Sequence, residues 1–339
     1  METIHIALPS DQNYIQGLVV TATSMAVYAD HETELHFHVL DGGIRDDSFA
    51  SFTETVTRNH ARARFTRHQV QESSFDNFPA WSGNKMTYAR LMLPEILKDV
   101  EHVIYCDTDV LWLAPIEELW RLRNSEVVAC VCRDGCKRTV SRENDWFIGK
   151  GFSPPGNDYF CAAVMLLNLR LMRAEHVIEQ VYAVLEQHRD IQSADQTALN
   201  YVLSGRIRLV DQRWHLLSIR VSDGPFAPPV VLHYGGEIPW KRKGRWELLT
   251  DSVMLWHWFN DRFVLCAQSA SLKRYYTLRE RIFKRALFLC LASAEFRRFF
   301  YWLLHAVNRG GLEGSFETYN RQIDRRSLRG LRQAWSRMA

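Results

Sequence analysis

The chain has 339 residues, of which 47% are hydrophobic and 24% are charged. These proportions are typical of a folded globular protein and exclude an intrinsically disordered chain. The length allows one large domain or two smaller ones. Seven cysteines are an odd number, which favours reduced thiols over a disulfide framework. The first residues show neither a basic start nor an apolar helical run, so we expect no secretory signal and a cytoplasmic location.

Positive charge is concentrated near the C-terminus. Residues 271–339 contain 15 Lys or Arg and 5 Asp or Glu, whereas the net charge of the whole chain is +3. Residues 281–307 interleave arginines with aromatic side chains, which predicts amphipathic helices that lie on an anionic lipid surface. A helix pair that packs on the domain and turns its arginines to water is the alternative. The charged residues Glu295, Arg297 and Arg298 argue against a transmembrane span.

The first half of the chain alternates between strand-like and helix-like segments. We predict strands over residues 3–8, 35–40 and 64–68, with helices over 15–28 and 46–58 between them. Such alternation is typical of a parallel sheet. Neither a Walker-type phosphate loop nor a G-x-G-x-x-G follows the first strand, so an ATP or dinucleotide site of the usual loop type is not expected.

The pattern continues through the second half. We predict an apolar helix over residues 86–97, which carries Arg90, strands over 127–131 and 159–169, and a loop over 143–158 that could act as a lid. Helices over 172–188 and 193–203 follow, the second with Ser193 as its N-cap, and short strands over 206–210 and 230–232. Cys130, Cys132 and Cys136 are interpreted as buried thiols, because a zinc site would need a fourth ligand.

Two carboxylates stand where a buried strand ends. The apolar run 103–106 leads directly into Asp107 and Asp109. Ligands of open α/β sheets bind at the carboxyl ends of strands, and a divalent cation would offset the repulsion between the two acids. A turn or helix start is the alternative interpretation. His233 also follows a short strand and precedes two glycines, so it could ligate a metal beside a closely approaching phosphate.

Together these segments resemble glycosyltransferase family 8, which includes the retaining enzymes that build bacterial lipopolysaccharide. The resemblance runs from about residue 3 to residue 240. The similar motifs, in chain order, are Asp11-x-Asn13-Tyr14, Thr87-Tyr88-Ala89-Arg90-Leu91, Tyr105-x-Asp107-x-Asp109, Asp195-Gln196, and His233-Tyr234-x-Gly236 followed by Pro239-Trp240.

The resemblance implies an α/β protein with the GT-A fold, a Rossmann-like, mostly parallel central sheet flanked by helices. It divides the chain into a catalytic domain, residues 1–260, and a basic helical extension, residues 261–339. The implied donor is UDP-galactose or UDP-glucose, bound through Mn²⁺ or Mg²⁺. The implied metal ligands are Asp107, Asp109 and His233. The implied donor-binding residues are Asp11, Asn13, Arg90, Asp107, Gly236 and Lys241.

The resemblance also assigns Asp195 and Gln196 to catalysis. An amide is a poor nucleophile, whereas a double displacement would need a carboxylate on the face of the sugar opposite UDP. We therefore favour a front-face reaction in which Gln196 stabilises positive charge on the sugar, while Asp195 and Arg90 hydrogen-bond its hydroxyls.

Three positions depart from the family pattern. Cys161 stands where the family has asparagine, and Cys132 stands where an aspartate is expected. Ile238 stands where the family has a lysine before Pro-Trp, and Lys241 could supply that charge instead.

The expected function is transfer of a hexose to a glycan or glycolipid acceptor, such as the lipopolysaccharide or lipooligosaccharide core. This activity would place the protein at the inner face of the cytoplasmic membrane. A protein or soluble-sugar acceptor is one alternative, and a catalytically weak, membrane-associated nucleotide-sugar-binding module is another. The sequence lacks the motifs of RNA- or DNA-binding folds, so no nucleic-acid partner is expected.

Overall fold

A computed structural model describes residues 2–79, 85–218, 231–235, 238–240, 256 and 259–264. Gly236, Lys241 and all but the first four residues of the predicted basic extension lie outside this part of the chain, as does the predicted lipid-binding segment. Across the described ranges, no helix is both long enough and apolar enough to cross a bilayer.

As far as its eighth strand, the described chain consists largely of strands separated by helices, apart from one pair of consecutive strands and one run of three consecutive helices. The strands are β1 Thr3–Ser10, β2 Glu34–Asp41, β3 Ala63–Gln69, β4 His102–Cys106, β5 Val110–Trp112, β6 Ala129–Arg133, β7 Phe160–Asn168, β8 Ile207–Leu209, β9 Leu216–Leu217 and β10 Val231–His233. The α-helices are α1 Ile15–Tyr28, α2 Asp46–Asn59, α3 Leu93–Ile96, α4 Ile116–Trp120, α5 Lys137–Gly149, α6 Leu169–Ala174, α7 Val177–Gln187 and α8 Ala194–Val202.

Seven strands form the central sheet, in the order β3-β2-β1-β4-β7-β6-β8. Neighbouring strands are parallel except at β7, which runs antiparallel to both β4 and β6. All nine residues of β7 are buried, as is usual for a strand covered on both faces. The predicted mostly parallel sheet is confirmed.

Helices and apolar side chains cover both faces of the sheet. Ile6 of β1 and Phe37 of β2 belong to a core that includes the buried residues of α1 and α2. Alternate strand residues point to the opposite face, where Tyr105 of β4 joins a second core with α7 and α8. The acid pair that follows β4 therefore lies between two packed layers.

A small second sheet begins shortly after the end of β4. β5 pairs antiparallel with β10, so that Val110 lies opposite His233, and β10 pairs in parallel with β9. This pairing brings residue 233 next to the segment that directly follows Asp109. Sequence patterns did not predict β5, because its three residues are too few to show a period.

The predicted loop over residues 143–158 is wrong in its first half. α5 continues to Gly149, and its Glu143 is buried. The Glu143 carboxylate accepts hydrogen bonds from the Ser193 and Thr197 hydroxyls, at 2.7 Å each. Only Glu143 and Phe147 of this helix are buried, so few apolar residues marked it as a helix in the sequence.

Two other helices differ from their predictions. Residues 86–97 form a 3₁₀-helix, Met86–Met92, followed by the short α3. The predicted helix over 172–188 is interrupted at His176, whose φ is +50°, and its two parts are α6 and α7. Ser193 does not cap α8, because its hydroxyl donates to Glu143 instead.

Candidate active site

Asp107 begins the site at the end of β4. Its backbone N–H donates to the Ala163 carbonyl of β7 at 2.8 Å, which extends the strand pairing by one residue. Its Oδ1 accepts the Tyr105 hydroxyl at 2.5 Å and Arg90 Nη2 at 3.1 Å. The carboxylate is thus fixed by the strand that precedes it and by the helix that carries Arg90.

Asp109 and His233 face each other across the β5–β10 pair. His233 Nε2 lies 3.3 Å from Asp109 Oδ1, and the Tyr234 N–H donates to the Asp109 carbonyl at 2.8 Å. His233 Nδ1 is 2.8 Å from Nε2 of the buried His215, which orients the imidazole. Asp107, Asp109 and His233 each offer one ligand atom, and these three atoms lie within 4.8 Å of one another.

The electrostatics of this cluster suit a divalent cation. Burial raises the pKa of Asp107, and so does Asp109, although Arg90 acts in the opposite direction. Burial also disfavours the charged form of Asp109, but the neighbouring His233 outweighs it and lowers the pKa of Asp109. Two carboxylates and an imidazole thus converge at one place. This donor set fits Mn²⁺ or Mg²⁺.

Arg90 connects this cluster to Asp195. Arg90 Nε lies 3.0 Å from Asp195 Oδ2, and the side chains are only 5% and 2% exposed. The Thr87 hydroxyl donates to Asp195 Oδ1 at 2.6 Å, and the guanidinium lies over the Tyr105 ring, 4.4 Å from its centroid. Burial opposes the charge on Arg90, but Asp107 and Asp195 outweigh it and raise the pKa of the guanidinium.

Gln196 follows Asp195 and is held at both ends of its amide. Its Oε1 accepts the Ala162 N–H at 3.0 Å, while its Nε2 donates to Asp134 Oδ2 at 3.1 Å. Nε2 also lies within hydrogen-bond distance of the Tyr159 hydroxyl, at 3.3 Å. Arg90 Nη1 donates to the carbonyl of the same Ala162. One residue of β7 therefore fixes the positions of both Arg90 and Gln196.

Asp11 shapes the turn between β1 and α1. Its Oδ1 accepts the N–H groups of Asn13 and Tyr14 at 2.8 and 2.9 Å, and Asn13 Nδ2 donates to Oδ2 at 3.3 Å. Trp240 closes the turn, with Nε1 3.4 Å from the Asn13 carbonyl and its ring edge-on to Tyr14. Burial and the carboxylates of Asp109, Asp11 and Asp107 together raise the pKa of Tyr14 to about 12.

α1 packs tightly against the segment that carries the acid pair. A Cβ on Gly17 would collide with the Thr108 carbonyl and with the Trp240 ring. One turn further along the helix, the Thr21 hydroxyl lies 3.1 Å from the Thr108 carbonyl and 2.7 Å from the Val110 carbonyl. The position of Asp109 is thus fixed by α1 as well as by β10.

The structure brings most of the predicted site residues together. Direct contacts link Asp107, Asp109, His233, Arg90 and Asp195, and Gln196 joins them through Ala162. Asp11 and Asn13 form the neighbouring turn. Gly236 and Lys241 lie outside the described residues, so their predicted roles stay predictions.

Sequence reasoning missed several groups that hold this site. The hydroxyls of Thr87 and Tyr105, the imidazole of His215 and the carboxylate of Asp134 each hydrogen-bond a predicted site residue. Only Thr87 and Tyr105 gave a signal, since both stand inside the quoted motifs. Cys161 Sγ lies within 4.8 Å of a ring nitrogen of His233. Cys132 is buried, with its Sγ 3.3 Å from the Asp211 carbonyl.

Comparisons with known proteins identify the family of this chain. The sequence profile of Glycosyl transferase family 8 matches residues 5–244. General stress protein A of Bacillus subtilis is 26% identical over 261 residues, covering 70% of this chain and 88% of that protein. Lipopolysaccharide 1,3-galactosyltransferase of Salmonella typhimurium is 25% identical over 261 residues, covering 72% and 74%.

A solved structure shares the fold. The galactosyltransferase LgtC, crystallised in complex with donor and acceptor sugar analogs, superposes with a TM-score of 0.68 at 24% identity. The match covers 80% of this chain and all of that one. The family match and the fold thus define a glycosyltransferase with the GT-A fold, as the resemblance implied. Within that class, the chain belongs to glycosyltransferase family 8.

Proposed function

We propose that the protein transfers galactose or glucose from a UDP-sugar to a glycan acceptor with retention of anomeric configuration. The observation that carries this proposal is the convergence of three metal-ligating side chains beside a buried Arg90–Asp195 pair. The first group suits a diphosphate-bound cation, and the second suits sugar hydroxyls. A site that recognises both halves of a nucleotide sugar needs both groups.

The cation would be held by Asp107, Asp109 and His233. An imidazole among carboxylates favours Mn²⁺ over Mg²⁺. When bound, the ion supplies Lewis-acid stabilisation of the leaving diphosphate. The protein's own part is to hold its ligands rigidly, through the Tyr105 hydroxyl on Asp107 and the His215 ring on His233. These two hydrogen bonds fix the orientation of the metal ligands before the donor binds.

Arg90, Asp195 and Gln196 are proposed to act on the sugar. Arg90 and Asp195 are held in position by each other, by Asp107 and by Thr87, so an epimer whose hydroxyl did not meet them would lose a hydrogen bond. Gln196 offers an amide dipole that is fixed by Ala162 and Asp134. A fixed dipole stabilises developing charge without reorganisation, which supports a front-face reaction at this position over a covalent intermediate.

The acceptor is proposed to be a lipopolysaccharide or lipooligosaccharide core. Support comes from the similarity to the Salmonella galactosyltransferase, whose name states that class of substrate. The basic, aromatic-rich residues 281–307 support attachment to the inner face of the cytoplasmic membrane. Arg297→Glu/Arg298→Glu in the full chain should reduce binding to vesicles that contain anionic lipid. Unchanged binding would remove the membrane part of the proposal.

The central experiment measures UDP release from a panel of UDP-hexoses by the full-length protein, with Mn²⁺, with Mg²⁺ and with a chelator. We expect metal-dependent release from UDP-galactose or UDP-glucose that rises when a glycan acceptor is added. Asp109→Asn should reduce this rate at least about 100-fold, since metal sites are that sensitive to their carboxylates. The control is Asp99→Asn, at an exposed position.

The outcomes separate the competing functions. Nucleotide-sugar binding without turnover for any tested acceptor would favour the binding-module alternative. Full activity of Asp109→Asn would contradict the metal assignment.

A further inference from the structure

Four histidines lie on one face of the β1–β2–β3 edge of the sheet. His5 is on β1, His36 and His38 are on β2, and His68 is on β3. The alternate residues of these strands, such as Ile6 and Phe37, point into the core under α1 and α2. Strands of a mostly parallel sheet are usually apolar on both faces. A patch of imidazoles at this position therefore needs an explanation.

The imidazoles are close enough to share one ion. His5 Nδ1 lies 3.0 Å from His38 Nε2, and one ring nitrogen from each of His5, His36 and His38 lies within 4.8 Å of the others. Zinc binds imidazole nitrogen at about 2.0–2.1 Å, so two nitrogens of a tetrahedral site lie roughly 3.4 Å apart. A modest adjustment of these side chains would accommodate the ion.

Hydrogen bonds to neighbouring side chains orient two of the three rings, those of His36 and His38, as ligands. His38 Nδ1 is 3.1 Å from His68 Nε2, which leaves His38 Nε2 facing His5. His36 Nε2 is 2.8 Å from the Thr66 hydroxyl. Histidine ligands of metals typically bond their second nitrogen to such a partner. His68 and Thr66 thus occupy the outer positions that a metal site requires.

The protonation state of the imidazoles and their exposure to solvent also suit a metal ion. Burial and neighbouring imidazoles lower the pKa of His38 to about 2, and burial is the largest factor that lowers the pKa values of His5 and His36. Neutral imidazole is the form that ligates a metal. His38 is only 4% exposed, whereas His5 and His36 are half-buried, so an ion could enter from the solvent side.

This cluster is distinct from the candidate active site. His5 is six residues before Asp11, which corresponds to roughly 20 Å along an extended strand. None of the three residues contributes to the contacts that hold Asp107, Asp109 or His233. Imidazole nitrogens favour Zn²⁺ and similar transition ions, whereas a site with carboxylates suits Mn²⁺ or Mg²⁺.

We propose that His5, His36 and His38 form a second metal site, selective for Zn²⁺, that ties β1 to β2 at the edge of the sheet. His68 orients His38 through its ring and does not ligate the ion. The fourth position is left to water, and the ion's role is to stabilise this edge of the fold.

The test is Zn²⁺ titration of the full-length protein by calorimetry, with the thermal midpoint followed in parallel. His36→Gln is compared with His188→Gln, a half-buried histidine that packs on Trp146 and Phe152 instead. We expect wild type and His188→Gln to bind one more equivalent of Zn²⁺ than His36→Gln, or to bind it at least tenfold more tightly. Zn²⁺ should raise their thermal midpoints more than that of His36→Gln.

Two further measurements complete the test. Co²⁺ should give the intense visible absorption of a tetrahedral site in wild type and weaker absorption in His36→Gln. His5→Gln, which changes a different strand, should reproduce the loss. Equal Zn²⁺ stoichiometry, affinity and thermal shift in wild type and both cluster variants would overturn the proposal. UDP release with Mn²⁺ should be the same in all of these proteins, so this test is independent of the proposed function.

Discussion

Arg90 and Asp195 form an ion pair of 3.0 Å in which neither side chain is more than 5% exposed, and the same guanidinium reaches Asp107 at 3.1 Å. The carboxylates of Asp107 and Asp195, which come from distant parts of the sequence, thus depend on the same guanidinium group. Removing the positive charge of Arg90 would leave a buried negative charge without compensation.

Arg90→Met should therefore lower both stability and activity. Loss of one partner of a buried pair costs about 3–5 kcal/mol, whereas Arg62→Met, at an exposed pair with Glu32, should cost no more than about 1 kcal/mol. Urea denaturation measures both values. Adding Asp195→Asn to Arg90→Met removes the uncompensated charge, so it should restore part of the stability without restoring UDP release. Equal losses for Arg90→Met and Arg62→Met would contradict this interpretation.

Gln196 distinguishes the two retaining mechanisms. Gln196→Ala should lower kcat about 100-fold with little effect on donor affinity, because a fixed dipole acts mainly on the transition state. Gln196→Glu should not exceed wild type, since it would place a second carboxylate beside Asp134 in place of the present 3.1 Å hydrogen bond. Gln187→Glu, at an exposed position on α7, is the control. Faster turnover of Gln196→Glu, with a trapped sugar adduct, would favour double displacement.

Gly17 tests the coupling between α1 and the acid pair. In Gly17→Ala the new methyl group would displace the Thr108 carbonyl or the Trp240 ring, with an expected cost of about 1–3 kcal/mol. The affinity for Mn²⁺ and UDP should fall as well, because Asp107 and Asp109 flank Thr108. In Gly149→Ala the methyl group would meet nothing within 4 Å, so this variant should be close to neutral. Calorimetry of both variants provides the comparison.

The histidine cluster should make the metal-free protein sensitive to mild acid. The pKa of His38 falls from 6.5 to about 2 on folding. A folded-state pKa below the unfolded value gives stability that is present above pH 6.5 and declines as the pH falls. The charged and titratable groups on the same face are His5, His36, His68, Glu34 and Arg64.

With a chelator present, the unfolding free energy of wild type should fall between pH 7.5 and pH 5 by about 2 kcal/mol more than that of His38→Gln. Parallel urea titrations at the two pH values measure this difference. Identical pH dependence in the two proteins would mean that His38 gains a proton in the folded state more readily than its surroundings indicate.

Elements with a strong apolar pattern were predictable. The predicted bounds of α1, residues 15–28, match the structure, and β1 to β3 differ from prediction by at most two residues at either end. α5 was missed because its buried anchor, Glu143, is a charged residue whose partners lie 50 and 54 positions away. The break at His176 was missed because the chain enters the left-handed region there without a glycine.

Some residues of the candidate site could likewise be predicted from the sequence, and others could not. Asp107 and Asp109 could be recognised from the strand that precedes them, and Asp195 and Gln196 from the family resemblance. His215 could not, because it approaches His233 only through the pairing of β9 with β10. Asp134 lies next to a shift in the pairing of β6 with β7, where counting along the strand gives the wrong face.

The pairing of Val110 with His233 has a consequence for the order in which the protein becomes functional. The imidazole of His233 is 124 positions later in the chain than Asp109, and β10, which carries it, also helps to hold the Asp109 backbone. During synthesis, the nascent polypeptide would therefore have an incomplete metal site, without its imidazole ligand, until β10 has joined the small sheet. Under the proposed function, donor binding is then a property of the finished domain.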